Sequence, residues 1–587
     1  MKSDIVVLKF GSSVLESIGD LPNAVHEIYR WYRHGAKIVA VVSAIGDTTE
    51  RLIRESRQLS PDPEPWATAE LLATGERTAS ALLGVALDRA GIAARVVNPR
   101  EIGLEVTGEP LDGTPHAIDA PRVRALLADY PVLIVPGFFG TDASGRTQLL
   151  GRGGSDLTAV FIAAALQATR CRLLKDVDGV YESDPAIPDS HPRRFAELSY
   201  TDALRVAGKL IQAKAVSFLQ AHQGHAEVAA IARPYQSIVH AGTTSWAARP
   251  RSAPLKVVLL GLGTVGFGVY ARLLHFPEQF TLQGVLVRDC EKYRNSGLEK
   301  RLIVNRIESL SDLAPTVVID ALPGVDPSAD LLKTYLAQGI PVISANKALI
   351  AAQGSALRRL AEDSGTTLHY AAAVGGATPM LELAALVNAK GSPISSIAAV
   401  LNGTCNFVLD HCAAGASLEA AIAEAQRRGF AEADPNADLS GQDALHKLQL
   451  LARQGFARDV DSTLVLALDE SVAEKARLAS RDGLRLRQIS QVYKSGDYIE
   501  AIVDYKAVRA DTFFGSLTNE WNGIEVTSEL GEVLNARGRG AGRWPTTEAV
   551  MADLFEVART LAREPQVSKV RSVQEPAAGT TATRRTS

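Results

Sequence analysis

Two hydrophobic patterns alternate along the chain. Short, almost unbroken apolar runs occur at Ile5-Val6-Val7-Leu8-Lys9-Phe10, Lys37-Ile38-Val39-Ala40-Val41-Val42, PVLIVPGFFG from Pro131, CRLLKDV from Cys171 and EVAAIA from Glu227. Runs this short and this uniformly apolar predict strands covered on both faces. Between them, stretches such as Glu70–Ala90 and Leu157–Ala168 place apolar residues every three or four positions, which predicts helices. Strands alternating with helices imply a parallel sheet between helical layers over residues 1–244, an αβα sandwich. Residues 243–255, TTSWAARPRSAPL, carry two prolines and no apolar period, so a linker is expected at 245–254.

The alternation then resumes. Lys256-Val257-Val258-Leu259-Leu260 leads into a glycine turn and a helix, followed by GVLVRD, TVVIDALPG and PVISANK. This pattern predicts a doubly wound Rossmann dinucleotide-binding domain over 255–370. From Leu368 the order is less regular: HYAAAVGG, ISSIAAVLNG, an alanine-rich helix and later short strands suggest an α+β substrate domain over 371–563. Residues 564–587 are small and polar and read as a disordered tail.

A chain of 587 residues exceeds what one core holds, so several domains are expected. With 46% hydrophobic and 22% charged residues it has an ordinary globular composition. A net charge of −4 gives no field that favours nucleic acid or an anionic membrane, which leaves small molecules as the expected partners. The four cysteines form no CxxC pair, and the N-terminus lacks a basic, long-apolar leader. No run approaches a membrane span, and a cytoplasmic enzyme is expected.

Two glycine turns carry candidate chemistry. Gly261-Leu262-Gly263-Thr264-Val265-Gly266 lies where a strand hands over to a helix, so its backbone N–H groups can meet a pyrophosphate. At the end of the next strand, Arg288 suits a ribose 2′-phosphate and Asp289 a 2′-hydroxyl, so the cofactor is NADP or NAD, with NADP preferred. Lys9-Phe10-Gly11-Ser12-Ser13 follows the first strand and offers a lysine and a loop for phosphate, although many such loops are simple turns.

Longer motifs carry a family resemblance. SANKALI from Ser344, AVGGATP from Ala373, LNGTCNFVLD from Leu401, FAEADPNADLSGQDALHKL from Phe430 and GRGAGRWPTTEAVMADL from Gly538 together resemble homoserine dehydrogenase. The resemblance implies hydride transfer between a nicotinamide and the aldehyde carbon of aspartate 4-semialdehyde, giving homoserine. It implies that Glu432, Asp438 and Asp443 face the substrate, that Lys347 and Lys447 serve the chemistry, and that Gly540 lets the backbone approach the cofactor. On spacing alone, Asp443 and Lys447 would be an exposed i,i+4 ion pair. Where the family has a glutamate associated with a monovalent cation, this chain has Ala371, and no metal is expected there. Oligomerisation through this half is implied as well.

The N-terminal segment resembles aspartokinase, of the amino-acid kinase fold, through VVSAIGDTTERL from Val41, LLATGERTAS from Leu71, VPGFFG from Val135, LLGRGGSDLTAV from Leu149 and KDVDGVYESDP from Lys175. This implies transfer of the γ-phosphoryl group of ATP, with Mg2+, to the side-chain carboxylate of aspartate. Lys9 would stabilise the transferred group and Asp156 organise the site. Glu76, Arg152, Ser43 and Thr49 would hold aspartate, and Gly11, Ser12, Lys175, Asp176, Asp178 and Tyr181 would hold the nucleotide. KFGSSV is one residue shorter than the family's phosphate loop, and residues 208–213 match its later segment poorly. The alternative is a homoserine dehydrogenase carrying a catalytically silent kinase-like module. Fused enzymes of this kind usually carry ACT-type regulatory domains between their halves, and this linker leaves no room for them, so threonine inhibition by that route is not expected.

Overall fold

In a computed structural model, which describes residues 4–188, 191–208, 210–247, 253–293 and 297–563, the apolar runs pair side by side as their patterning predicts. The expected tail and residues 248–252 of the expected linker lie outside the described residues.

The first sheet has nine strands, with Ile5–Phe10 between Lys37–Val42 and Arg170–Lys175. Both of these pairings are parallel, with Ile5 opposite Lys37 and Val6 opposite Arg170. Successive side chains of a strand point to opposite faces, and the core divides accordingly. Val6, Leu8, Phe10, Ile38, Ala40 and Val42 meet the helices Leu21–Tyr32 and Pro65–Arg89, whereas Ile5, Val7, Val39 and Val41 meet Gly154–Leu166. Helix Pro65–Arg89 starts where Glu64 accepts from the N–H groups of Trp66, at 3.0 Å, and Ala67, at 2.6 Å. It ends at Gly91, whose φ of +76° turns the chain out of the helix. Ser245–Trp246 pairs antiparallel with Phe195–Ser199, so the chain leaves this sheet two residues later than the expected linker start. A four-stranded sheet between Glu105 and Leu149 was not anticipated; its short strands carry too few positions to show a period.

The second sheet has six parallel strands. Their spatial order is third (Ile303–Val304), second (Phe280–Leu286), first (Leu255–Leu260), fourth (Val317–Asp320), fifth (Val342–Ser344) and sixth (Leu368–His369). That is the dinucleotide-binding order, with its switch point between the first and fourth strands. The third sheet, also six-stranded, is antiparallel except for one edge pairing.

Two expectations are corrected here. The later strands are not all short: Leu484–Ser495 and Tyr498–Arg509 are 12 residues each. Buried polar residues hide their period, Arg487 being paired with Asp410 at 2.8 Å and Gln488 bonded to the Tyr505 hydroxyl at 2.9 Å. The expected boundary after residue 370 assigns the last helix, Arg543–Arg563, to the substrate domain, yet its buried face, with Val550, Leu554 and Phe555, belongs to the dinucleotide-domain core. Among the described residues, no helix is long and apolar enough to cross a membrane.

Candidate active sites

In the first half, the strand ends and helix starts converge on a cavity of about 820 Å3 lined by Lys9, Gly11, Ser12, Ser43, Thr49, Glu76, Arg152, Asp156, Lys175 and Asp176. Lys9 and Lys175 lie at the ends of parallel strands, and Asp156 lies in the first turn of Gly154–Leu166. The carboxylate of Asp156 is 2.8 Å from Lys9 Nζ and 3.1 Å from Lys175 Nζ, and all three side chains are buried. Burial pushes the Asp156 carboxyl up, but the two ammoniums outweigh it and hold it below its ordinary value. Burial, followed by the neighbouring Lys9, pulls Lys175 down to about 8. Gly11 keeps the loop close to the ammonium: a Cβ there would lie 2.8 Å from Lys9 Nζ and push that side chain aside.

On the other wall, Glu76 Oε1 accepts from Ala44 N at 3.1 Å, while its buried Oε2 has no hydrogen-bond partner. Arg152 is exposed on the rim. Asp178 and Tyr181 are bonded to each other at 2.7 Å and do not line the cavity. Gln212, which precedes the helix Ala213–Ala221, does line it and was not singled out in the sequence, because no charge or glycine marks it.

In the second half, the glycines of the turn divide the work. Gly261 has φ +94°, and a Cβ there would meet Ala321 O at 2.9 Å. Gly266 packs so closely that a Cβ would lie 2.1 Å from Gly261 O. Gly263, which precedes helix Thr264–Leu273, faces open space, with no atom within 4 Å of a built Cβ. Two glycines close the turn and the third leaves room at a helix N-terminus, an arrangement that fits a pyrophosphate. Arg288 and Asp289 are both exposed, and Asp289 Oδ1 accepts from Glu291 N of its own turn at 2.9 Å.

Facing this turn from the same sheet, Lys347 opens the helix Lys347–Asp363, which is capped by the Asn346 side chain bonding Leu349 N at 3.1 Å. The capping turn is tied to the fourth strand: Ser344 Oγ donates to Asp320 Oδ2 at 2.9 Å, and Asn346 N donates to Ser344 Oγ at 3.2 Å. Burial pushes the Asp320 carboxyl up. Lys447 Nζ donates to Asp443 Oδ2 at 2.6 Å and to Leu401 O at 2.9 Å, with only 8% of its side chain exposed. The exposed surface pair that spacing alone suggests is therefore a buried lysine against a half-buried aspartate. Lys347 is solvent-accessible within a cleft crowded by protein. The Lys447 charge, followed by burial, pulls the Lys347 ammonium below its ordinary value, against Asp443, Asp438 and Glu432, so all five expected residues share one electrostatic site.

Family models match three segments: the amino acid kinase family over residues 4–228, the NAD-binding domain of homoserine dehydrogenase over 261–371, and homoserine dehydrogenase over 379–555. Homoserine dehydrogenase of Bacillus subtilis is 32% identical over 320 residues, covering 52% of this chain and 73% of that protein. This chain belongs to the homoserine dehydrogenase family. A homoserine dehydrogenase crystal structure from Thiobacillus denitrificans aligns with a TM-score of 0.50 at 27% identity, covering 54% of this chain and 76% of that one. Ahead of the homoserine dehydrogenase half stands the amino acid kinase domain. There the aspartokinase of Helicobacter pylori strain J99 is 34% identical over 203 residues, covering 35% of this chain and 50% of that protein. The chain thus spans about half the length of the aspartokinases it matches.

The homoserine dehydrogenase cleft also contains a residue that sequence reasoning passed over. Asn402 Nδ2 lies 2.7 Å from Asp438 Oδ1 and 3.0 Å from Asp443 Oδ2, bridging the two acids. Its signal was present, since it lies inside the LNGTCNFVLD motif, but an uncharged amide does not announce itself beside three acids and two lysines.

Proposed function

We propose that this protein is a bifunctional enzyme that phosphorylates the side-chain carboxylate of L-aspartate with ATP and interconverts aspartate 4-semialdehyde and homoserine with a nicotinamide dinucleotide. In the first cavity, Asp156 orients Lys9 and Lys175 so that their charge meets the phosphoryl group in flight, where positioning and neutralisation supply most of the catalysis. Because Asp156 is already engaged by two lysines, an Mg2+ ion accompanying ATP would be held chiefly through phosphate oxygens, where it would neutralise charge. Glu76 receives the aspartate ammonium, and Arg152, with Ser43 and Thr49, receives carboxylate. The observation that carries the kinase reading is the buried, unpartnered Oε2 of Glu76, a residue that lines the same cavity as the two lysines. Such an oxygen is costly unless a ligand pairs with it.

In the second cleft the dinucleotide supplies or accepts the hydride. Lys347 and Lys447 stabilise the oxygen that gains charge as the aldehyde is reduced, and one of them passes it a proton. Glu432, Asp438 and Asp443 hold the substrate ammonium. The free Arg288 and the self-engaged Asp289 support NADP over NAD. The reading includes a homo-oligomer formed through the homoserine dehydrogenase half.

Aspartate-dependent ATP turnover trapped with hydroxylamine, run beside homoserine oxidation on the same preparation, tests both halves. Aspartyl hydroxamate lost in Lys9→Ala and Asp156→Ala, with homoserine oxidation retained, is the expected result. Absence of hydroxamate in the wild type, with homoserine still oxidised, would make the first half a silent module.

A further inference from the structure

The segment Gly538–Gly542, whose first two residues end the strand Val533–Arg539, lies between three bodies. On one side Arg539 O accepts from Ala377 N at 3.0 Å, and a Cβ on Gly376 would lie 2.7 Å from Gly540 O, so the loop rests on the AVGGA turn. Beyond it, helix Arg543–Arg563 begins beside the dinucleotide helix, where a Cβ on Gly268 would lie 2.2 Å from Thr547 Oγ1. The third body is the kinase half. Arg539 N donates to Gly91 O at 3.0 Å, Ile92 and Gly538 form an antiparallel bridge, Arg539 Nη2 lies 2.8 Å from Asp88 Oδ1, and the Arg89 guanidinium sits 4.7 Å from the Trp544 ring centre. Gly91 has φ +76°, and a Cβ there would lie 2.7 Å from Arg539 Cβ, so the approach depends on glycine.

We propose that the C-terminal end of the kinase helix, through Asp88, Arg89 and the Gly91 carbonyl, is a positioning element for the dinucleotide loop of the dehydrogenase half. The inference rests on the reading above that Gly540 approaches the dinucleotide. Gly540-Ala541-Gly542, which follow the strand Val533–Arg539, have many conformations to lose when a ligand arrives, and a partner that fixes the strand end they start from removes part of that cost from binding. None of the three residues reaches the substrate cleft, so their effect falls on dinucleotide affinity and not on the hydride step. Asp88 and Arg89 are exposed, so replacing them disturbs no core.

The test uses the full chain with Asp88→Ala combined with Arg89→Ala, NADPH as the probe, and nicotinamide fluorescence together with steady-state oxidation of homoserine as readouts. The dissociation constant and KM for the dinucleotide should rise about fivefold to twentyfold while kcat and the hydroxamate activity of the kinase half stay within about twofold. Arg89→Lys beside an intact Asp88, which keeps a cation over Trp544, should retain most of the affinity. A double variant that melts with the wild type and binds NADPH as tightly overturns the proposal. So does a loss confined to kcat. A wild-type protein that neither binds dinucleotide nor oxidises homoserine would instead overturn the reading of that half, and this inference with it.

Discussion

Burial pushes the Glu76 carboxyl up to about 7, against the pull of the Ala44 N–H. An ammonium pairs with the ionised form only, so below pH 7 aspartate must displace a proton to bind. The value of kcat/KM for aspartate should therefore fall about tenfold per unit as pH drops below about 7 and level off above it. Glu76→Gln should raise the KM and flatten that limb. A wild-type profile that is flat across this range would remove Glu76 from ammonium binding. The same shift has the opposite sign for the fold: the native state keeps its proton where the unfolded chain loses it, near 4.5, so Glu76 lowers stability as pH rises through this window. In the other half, Lys447→Met should reduce homoserine oxidation by about 10²–10⁴-fold and leave hydroxamate formation intact. Arginine at this position should not rescue, since its fork cannot occupy the place of an ammonium fixed by Asp443 and Leu401 O.

Helix Thr264–Leu273 and the strand before it make opposite demands on two glycines. Gly263→Ala places its methyl group in open space, so the apo protein should melt unchanged, whereas NADPH affinity should fall about tenfold or more, because the group occupies the pyrophosphate approach. Gly266→Ala drives a methyl group into Gly261 O, so stability and dinucleotide binding should fall together. Thermal melts and NADPH titrations of the two variants check this, and equal behaviour would refute the division of labour. At this scale the sequence was informative wherever a single period governs an element. The apolar strands, the glycine turn and the helix that follows Asp156 were legible; the helix that Lys347 opens was not, because SANK reads as the end of an apolar strand. The 12-residue hairpin strands were not, because Arg487 and Gln488 are buried through partners their own run does not show: Asp410 on a helix and Tyr505 on the facing strand. Nor was the true place of Arg543–Arg563, whose apolar face could have covered either sheet of its half.

The contact between the halves was wholly illegible, because its partners stand far apart in the chain. Arg33 Nη2 lies 2.7 Å from both Asp553 Oδ1 and Glu382 Oε1, with 8%, 1% and 15% of the three side chains exposed, and Arg33 and Asp553 are 520 positions apart. Nearby, Arg272 meets Glu548 at 3.2 Å and donates to Pro22 O at 2.7 Å. One continuous apolar cluster runs from Leu8, Tyr29 and Leu87 of the kinase half to Met380, Leu383 and Ala552 of the other. Halves that share a core and buried charges cannot unfold separately without exposing both. Calorimetry of the whole chain should therefore show one cooperative transition, and two resolved transitions would contradict the shared core. Arg33→Ala leaves two acids facing each other without their cation, a loss of about 3–5 kcal/mol. It should lower the melting temperature of both activities in parallel, although Arg33 lies in neither active site. If heating this variant inactivated the kinase well before the dehydrogenase, the junction would be a tether and not a structural unit.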